Sequence, residues 1–597
     1  MTNDHRHATF TLMKLSDSLT RRNVAVAASI LVVGLLVAGF FVLRRVPRVA
    51  MERYAPATSI AFVEVDSLAD LVDGLTHTKA WRELAPVLGL SSQLTQLGLV
   101  SDLIGRAGLG PDEAVVAGRA QCAIAITGIE SNATETVDGA SIHLKPHFAL
   151  IIETHIKPEN ATRLVRERAP TVAERIYGES VTKTIENYSG TEVLIFKGPS
   201  SARPLLASAF GSVILIANDP EAMNGCLDSI AGRAGSLAED STLEEKRAEV
   251  GTDAPVFGYV TASGIQKLVE LWPLLALSRA ADPDTASLVA DLIEHLSKET
   301  MSGLLYSLKF AADGVTEKYL TILHPEVANA LMEPLKPAPA AGFESPRLIP
   351  RSVESITLLN AERPGELPER VLKKLSPTVD VVAGVALRQF VINLRKQYGL
   401  EPSDSIGAAT GSEIAFVNFG DERPRAMLIK VTDRSKLETA MIRYLTRKGG
   451  SVAKEQVRGI EIMVCSNDDQ RAAAFVGDFL VLATRDQIVR IVETNENRDG
   501  LSDEVRFKEA LAARPLDASI VSYRSRVDDA GKLLLAISKL MRVTDGSPEL
   551  LDRDSARAAL NRLPRSNSIT EFRGTGVYIE SHSAVGSFGL LGSLAGN

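Results

Sequence analysis

Cysteine is scarce in this chain: 597 residues contain three, Cys122, Cys226 and Cys465. No two are spaced as CxxC and the number is odd, which argues against a disulfide framework or a cysteine-based zinc site. Cys122 and Cys465 lie in apolar, strand-like runs and are expected as small buried hydrophobes. Aromatics are few, at 5%, with Trp81 and Trp272 as the two tryptophans. That leaves little material for a surface that stacks sugars or nucleobases. Cationic charge is short in the body of the chain. The net charge is −8, although residues 1–50 carry seven Lys/Arg against two Asp/Glu. An acidic body does not suit a phosphate backbone, so no nucleic-acid partner is expected.

Familiar catalytic signatures are missing as well. The chain has no GxSxG, no GxxxxGK[ST] and no GxGxxG, hence no support for an α/β-hydrolase, P-loop or Rossmann site. "SVTK", Ser180 to Lys183, fits a bare SxxK pattern but lacks the companion motifs and reads as the start of a strand. His143, His147 and His155 lie in "HLKPHFALIIETH". A spacing of four suits a metal when both residues share a helix face, but Pro146 and the β-rich run point to loop and strand, and no HExxH accompanies them. The histidines are therefore expected to be solvated or hydrogen-bonded. Asp468-Asp469 and Asp528-Asp529 are expected in loops or helix starts, in capping roles. Trp81, in "THTKAWRELAP", could anchor an interface, but a core position closing the first layer fits better. No catalytic, cofactor-binding or metal-binding residue is assigned, and no cofactor is expected.

What the chain does have is one long hydrophobic run. Val24 to Leu43, "VAVAASILVVGLLVAGFFVL", is 20 residues without a charge. A helix of that length crosses about 30 Å of hydrocarbon. It is longer than a typical signal-peptide core and ends in Arg44-Arg45 instead of a small-residue cleavage site, so an uncleaved signal anchor is expected. Flanking cations are balanced and do not set the orientation. A short basic tail before a first span normally stays inside, which would place the rest in the periplasm or another extracytoplasmic space. The expected location is the cell (inner) membrane, with Val24 to Leu43 contacting the lipid bilayer.

The second positive feature is an internal repeat. "DAPVFGYV" from Asp253 matches "DASIVSYR" from Asp517, with Tyr259 and Tyr523 at the same place. Walking backwards, Gly211 pairs with Gly477, Ala217 with Ala483, Gly190 with Gly459, Glu192 with Glu461 and Thr162 with Thr439. Seven such blocks recur in one order with similar gaps, which implies a duplication of roughly 240–270 residues, too long for a solenoid unit. "LETAMIRYL" carries one apolar helix face, and Val/Ile-rich runs opening on Gly read as strands after tight turns. Both copies close on a hairpin, at 302–323 and 567–583. The expected fold class is α+β: an N-terminal transmembrane helix followed by two duplicated α+β modules with mainly antiparallel sheets. The expected spans are a cytoplasmic tail at 1–23, the anchor at 24–43, modules at 56–323 and 351–597, and a Pro-rich linker at 324–350.

The anchor, the stretch "APATSIAFVEVDSLADLVDGLTHTKAWRELAP" and "PVFGYV" together resemble a family of bacterial membrane-anchored extracytoplasmic proteins catalogued only as a domain of unknown function. The resemblance spans most of the chain after residue 54 and implies no activity and no site residues. The expected function is a single-pass membrane protein whose extracytoplasmic region binds or scaffolds another envelope protein. The alternative is an envelope hydrolase with a site assembled from distant residues.

Overall fold

The local rules of the chain are clearest at its hairpin turns. Ser189-Gly190 and Arg458-Gly459 are two-residue loops in which both members have positive φ: 51° and 89° in the first, 49° and 79° in the second. This is the type I′ geometry, whose twist matches that of the flanking strands and which favours glycine at the second position. A computed structural model describes residues 48–88, 110–277 and 300–589, apart from 137–138, 179, 200, 202, 339–341, 398–405, 421–424, 447–449, 467, 513–517, 526–527 and 542–552.

Among the described residues, twenty strands are formed. In the first half they are β1 (Ala61–Val65), β2 (Gln121–Thr136), β3 (Gly139–Glu153), β4 (Thr182–Tyr188), β5 (Thr191–Lys197), β6 (Leu205–Phe210), β7 (Val213–Ala217), β8 (Val256–Val260), β9 (Met301–Ala311) and β10 (Gly314–Leu323). In the second they are β11 (Ser355–Asn360), β12 (Thr410–Asn418), β13 (Ala426–Val431), β14 (Val452–Val457), β15 (Ile460–Cys465), β16 (Asp468–Val476), β17 (Phe479–Ala483), β18 (Ile520–Arg524), β19 (Ser566–Arg573) and β20 (Gly576–Ser583). Every pairing is antiparallel, and the pairings join all the strands into one sheet. From one edge the order is β4-β5-β6-β7-β3-β2-β1-β8-β9-β10, then β20-β19-β18-β11-β12-β13-β17-β16-β15-β14. Read inward from either edge, the two halves give the same order of equivalents.

The join is β10 against β20. Counting from the matching hairpin loops, Lys318 and Glu580 are equivalent positions, and they are also each other's partners in the register. They therefore sit on a pseudo-twofold axis. A symmetric pair there would face like with like. The chain places Lys opposite Glu instead, with Nζ 3.7 Å from the carboxylate.

This corrects the expected fold class of a transmembrane helix followed by two duplicated α+β modules with mainly antiparallel sheets: the described strands form one sheet. The two halves lie in one compact unit, Ala50–Asn597. The physical reason is that the outer strands of the two closing hairpins satisfy one another's backbone groups, leaving neither as a free edge. Among the described residues, no helix is long and apolar enough to cross a membrane. The expected span, Val24 to Leu43, and the tail at 1–23 lie outside the described residues.

Helices cover both faces. In the second half, helix Arg434–Thr446 packs Leu437, Met441 and Leu445 on Met463, Ala473 and Leu480. Helix Arg485–Asn497 packs Ile488, Ile491 and Val492 on the alternate residues Ala472, Ala474 and Val481, which face the other way. In the first half, helix Pro158–Tyr177 packs Ala161 and Val165 on Leu194, Ala207 and Ile214. Residues 324–350 contain helix Pro325–Met332, whose Val327 and Ala328 pack with Leu375 and Leu387 of the second half. Leu348 and Ile349 of the same stretch are fully buried.

Candidate functional site

The residues singled out in the sequence do not converge. Ser180 is exposed ahead of β4 and Lys183 is exposed on it, so neither member of the SxxK pair is buried in a site. Asp468 and Asp469 open strand β16 rather than a loop, while Asp528 and Asp529 begin helix Asp528–Met541. Cys226 and Cys465 are buried and Cys122 is half-buried. Burial pushes the Cys122 thiol up to about 11 and that of Cys226 to about 12, which keeps both protonated and unreactive.

The histidines part company. His143 lies on β3, with nothing described of its side chain. His147 is half-buried between two carboxylates, with Nδ1 3.1 Å from Asp219 and Nε2 3.0 Å from Glu130. Asp219 is already the N-cap of helix Pro220–Ile230, accepting from the backbone of Glu221 and Ala222. The trio thus ties the β2–β3 hairpin to a helix start. His155 has a φ of 55° and its backbone N–H donates to Glu153, in the turn that follows β3. Among the described residues, no group of three or more His, Cys, Asp or Glu is placed to hold a metal.

Trp81 is 5% exposed, a core residue as expected, but the layer it closes joins the two halves. It shares a small apolar pocket with Leu84 of its own half and Leu533, Leu534 and Val585 of the other. Tyr259 and Tyr523 are both buried, and each hydroxyl donates to a carboxylate at the start of the preceding helical segment: Asp240 at 2.7 Å and Glu504 at 3.5 Å.

Two features were missed in the sequence. The first is a buried charge cluster behind β1. The guanidinium of Arg247 donates to Glu64 and, at 3.2 Å, to Glu52, and it lies 4.2 Å over the ring of Phe257. Burial pushes the Glu64 carboxyl up to about 7; Arg247 pulls it down, and the charge of Glu52 raises it further. Beside the cluster, the Tyr54 hydroxyl donates to Glu153 at 2.9 Å. By the register of the two halves, Glu64 corresponds to Leu358 and Arg247 to Leu511, both apolar. The signal was present: in "AFVEV", Glu64 has the same parity as the buried Phe62.

The second is a cavity of about 130 Å³ beneath helix Pro158–Tyr177. Its wall is almost wholly apolar, formed by Val165, Ala169 and Val172 of that helix and by Ile152, Ala207 and Ile216 of the sheet. Its two charged lining residues are paired. Arg168 Nε donates to Glu113 Oε1 at 2.6 Å, while Glu113 Oε2 accepts from the Gly110 N–H at 2.8 Å, at the start of helix Pro111–Arg119. Hydrogen bonds from Glu113's own backbone N–H, from Arg168 and from Gly110 outweigh burial and hold that carboxyl below its usual range. The hydroxyl of Thr154, also in the lining, donates to the Ser212 carbonyl at 2.6 Å. The arrangement can accept a neutral apolar group and offers it no free acid or base. No sequence periodicity marks such a cavity, because it arises where two helices and three strands meet. Comparison of the chain with family models, with curated proteins and with solved structures returned no match.

Proposed function

We propose that the body of this chain is a binding or scaffolding region that works outside the cytoplasm, at a membrane surface, on another envelope component. The observation that carries the reading is the cavity under helix Pro158–Tyr177. It is apolar, and its charged pair, Glu113 and Arg168, is engaged with itself and with a helix start. An acid–base catalyst needs an ionisable group free to meet the reacting atom. Apolar walls with few, satisfied polar groups are instead the make-up of a site that holds a ligand. The membrane location rests on sequence alone, on the uncharged run from Val24 to Leu43. In-cell crosslinking of the full chain followed by mass spectrometry tests the reading. A reproducible envelope partner, together with protease access to the body from outside the cytoplasm, is expected. Crosslinks spread at random over membrane proteins, or a body shielded from external protease, would overturn it.

A further inference from the structure

The two halves treat the same space differently. Helix Pro158–Tyr177 and helix Arg434–Thr446 sit on equivalent strands, and their buried stripes align Ala161 with Leu437, Val165 with Met441 and Ala169 with Leu445. On the sheet, the register of β6 and β16 aligns Ala209 with Phe475, although Ala209, like Ala161, lies outside the cavity lining. At each of these positions the first half has the smaller side chain. Exchanges in the lining also run the other way, Leu164 against Ala440 and Val116 against the Gly407–Ala408 stretch, so the contrast rests on Val165 and Ala169, whose counterparts Met441 and Leu445 are larger. In the second half Leu445 is fully buried and Met441 nearly so, within the apolar cluster under the helix. In the first half the corresponding volume is the cavity of about 130 Å³.

An unfilled apolar pocket is costly, because its lining loses packing partners. The second half carries side chains that would remove that cost, and the first half does not use them. Those side chains also describe what fits: aliphatic, uncharged and a few carbons long. An apolar cavity of about 150 Å³ stays dry and takes benzene. Charge at the lining is balanced by the Glu113–Arg168 pair, so a charged ligand would leave its own charge uncompensated.

We propose that this cavity binds a neutral apolar group of about six to eight heavy atoms, either a small hydrocarbon-like molecule or the end of an acyl chain, in the place that the second half fills with Leu445 and Met441. The inference deepens the binding reading above, but its test uses purified chain and no envelope partner, so the two can fail separately. Benzene is titrated into the full chain in lipid nanodiscs, and into Ala169→Leu and Val165→Met, which copy the second half. Benzene is expected to raise the Tm of the wild type, with at least tenfold weaker apparent affinity in either variant, while the ligand-free variants melt no lower than wild type. Equal shifts in wild type and variants, or no shift in wild type, would overturn the proposal. Organic extraction of the same samples separates the two sources. A lipid that co-purifies with wild type and is lost in Ala169→Leu identifies an acyl chain; benzene binding without such a lipid identifies a small free ligand.

Discussion

Glu64 stands where strand alternation calls for an apolar side chain, and its counterpart Leu358 shows that the fold does not require a charge there. Its folded pKa, about 7, lies above the ordinary 4.5. A raised carboxyl favours the folded state at low pH, and the benefit disappears as the pH climbs through the folded value. Stability should therefore fall between pH 4.5 and 7, by at most about 3 kcal/mol from this group. Denaturant titrations across that range should show the slope, and Glu64→Leu should flatten it; an unchanged slope would assign it elsewhere. Arg247→Leu alone leaves two carboxylates behind and should cost about 3–5 kcal/mol at pH 8. The combined Glu52→Gln, Glu64→Leu, Arg247→Leu variant, patterned on the other half, should be as stable as wild type or more so by up to about 4 kcal/mol. The parity of Glu64 was legible in the strand pattern. Its partner Arg247, 183 residues away, was not, since nothing local links the two.

At the scale of elements, turn chemistry was the most legible feature. The glycines at 190 and 459, expected at tight turns, occupy the left-handed positions of two equivalent hairpins. Gly190→Ala should cost about 1–2 kcal/mol from the φ of 89° alone, since open space surrounds the position and no clash adds to it. Ser189, at 51°, is a strained choice beside it, and Ser189→Asn should gain a few tenths of a kcal/mol, at about the limit of a urea melt. Equal stability of Gly190→Ala and wild type would show that this loop contributes nothing to the register. Helix register was less legible. The identity of Thr162 and Thr439 suggests one alignment, but burial aligns Ala161 with Leu437, one residue away. Packing sets helix phase, and a lone matching threonine on the helix surface carries no such constraint.

At the scale of the whole molecule, the sheet runs unbroken across the pseudo-twofold axis, and two apolar clusters brace it from the sides. One joins Ala80 and Leu84 to Leu533, Leu534 and Leu563; the other joins Val327 and Ala328 to Leu375 and Leu387. Arg562 adds an ion pair to Glu83, at 2.6 Å. With backbone pairing and buried surface shared in this way, Ala50–Asn597 should unfold in one calorimetric transition despite its length. Two resolved transitions would mean that the halves are independent. Lys318→Glu would set two carboxylates opposite one another on the axis and should cost about 0.5–1 kcal/mol; Lys318→Glu with Glu580→Lys should restore it. Failure of the double reversal to recover stability would show that the pair's environment, rather than its charge, matters.

The sequence by itself determined the local and repeated parts of this protein: the strands, the glycine turns, the closing hairpins and the two matched tyrosines. Each follows from short-range constraints on φ/ψ and from side-chain alternation, which leave a periodic trace. Tertiary structure alone decided that the halves form one sheet, that Trp81 closes the seam between them, and that one half keeps a cavity where the other buries Met441 and Leu445. Those outcomes depend on which edges and faces meet across more than two hundred residues. Hydrogen-bonding groups on an unpaired edge look the same in sequence whether water or another strand satisfies them, and a gap exists only once its walls have been brought together.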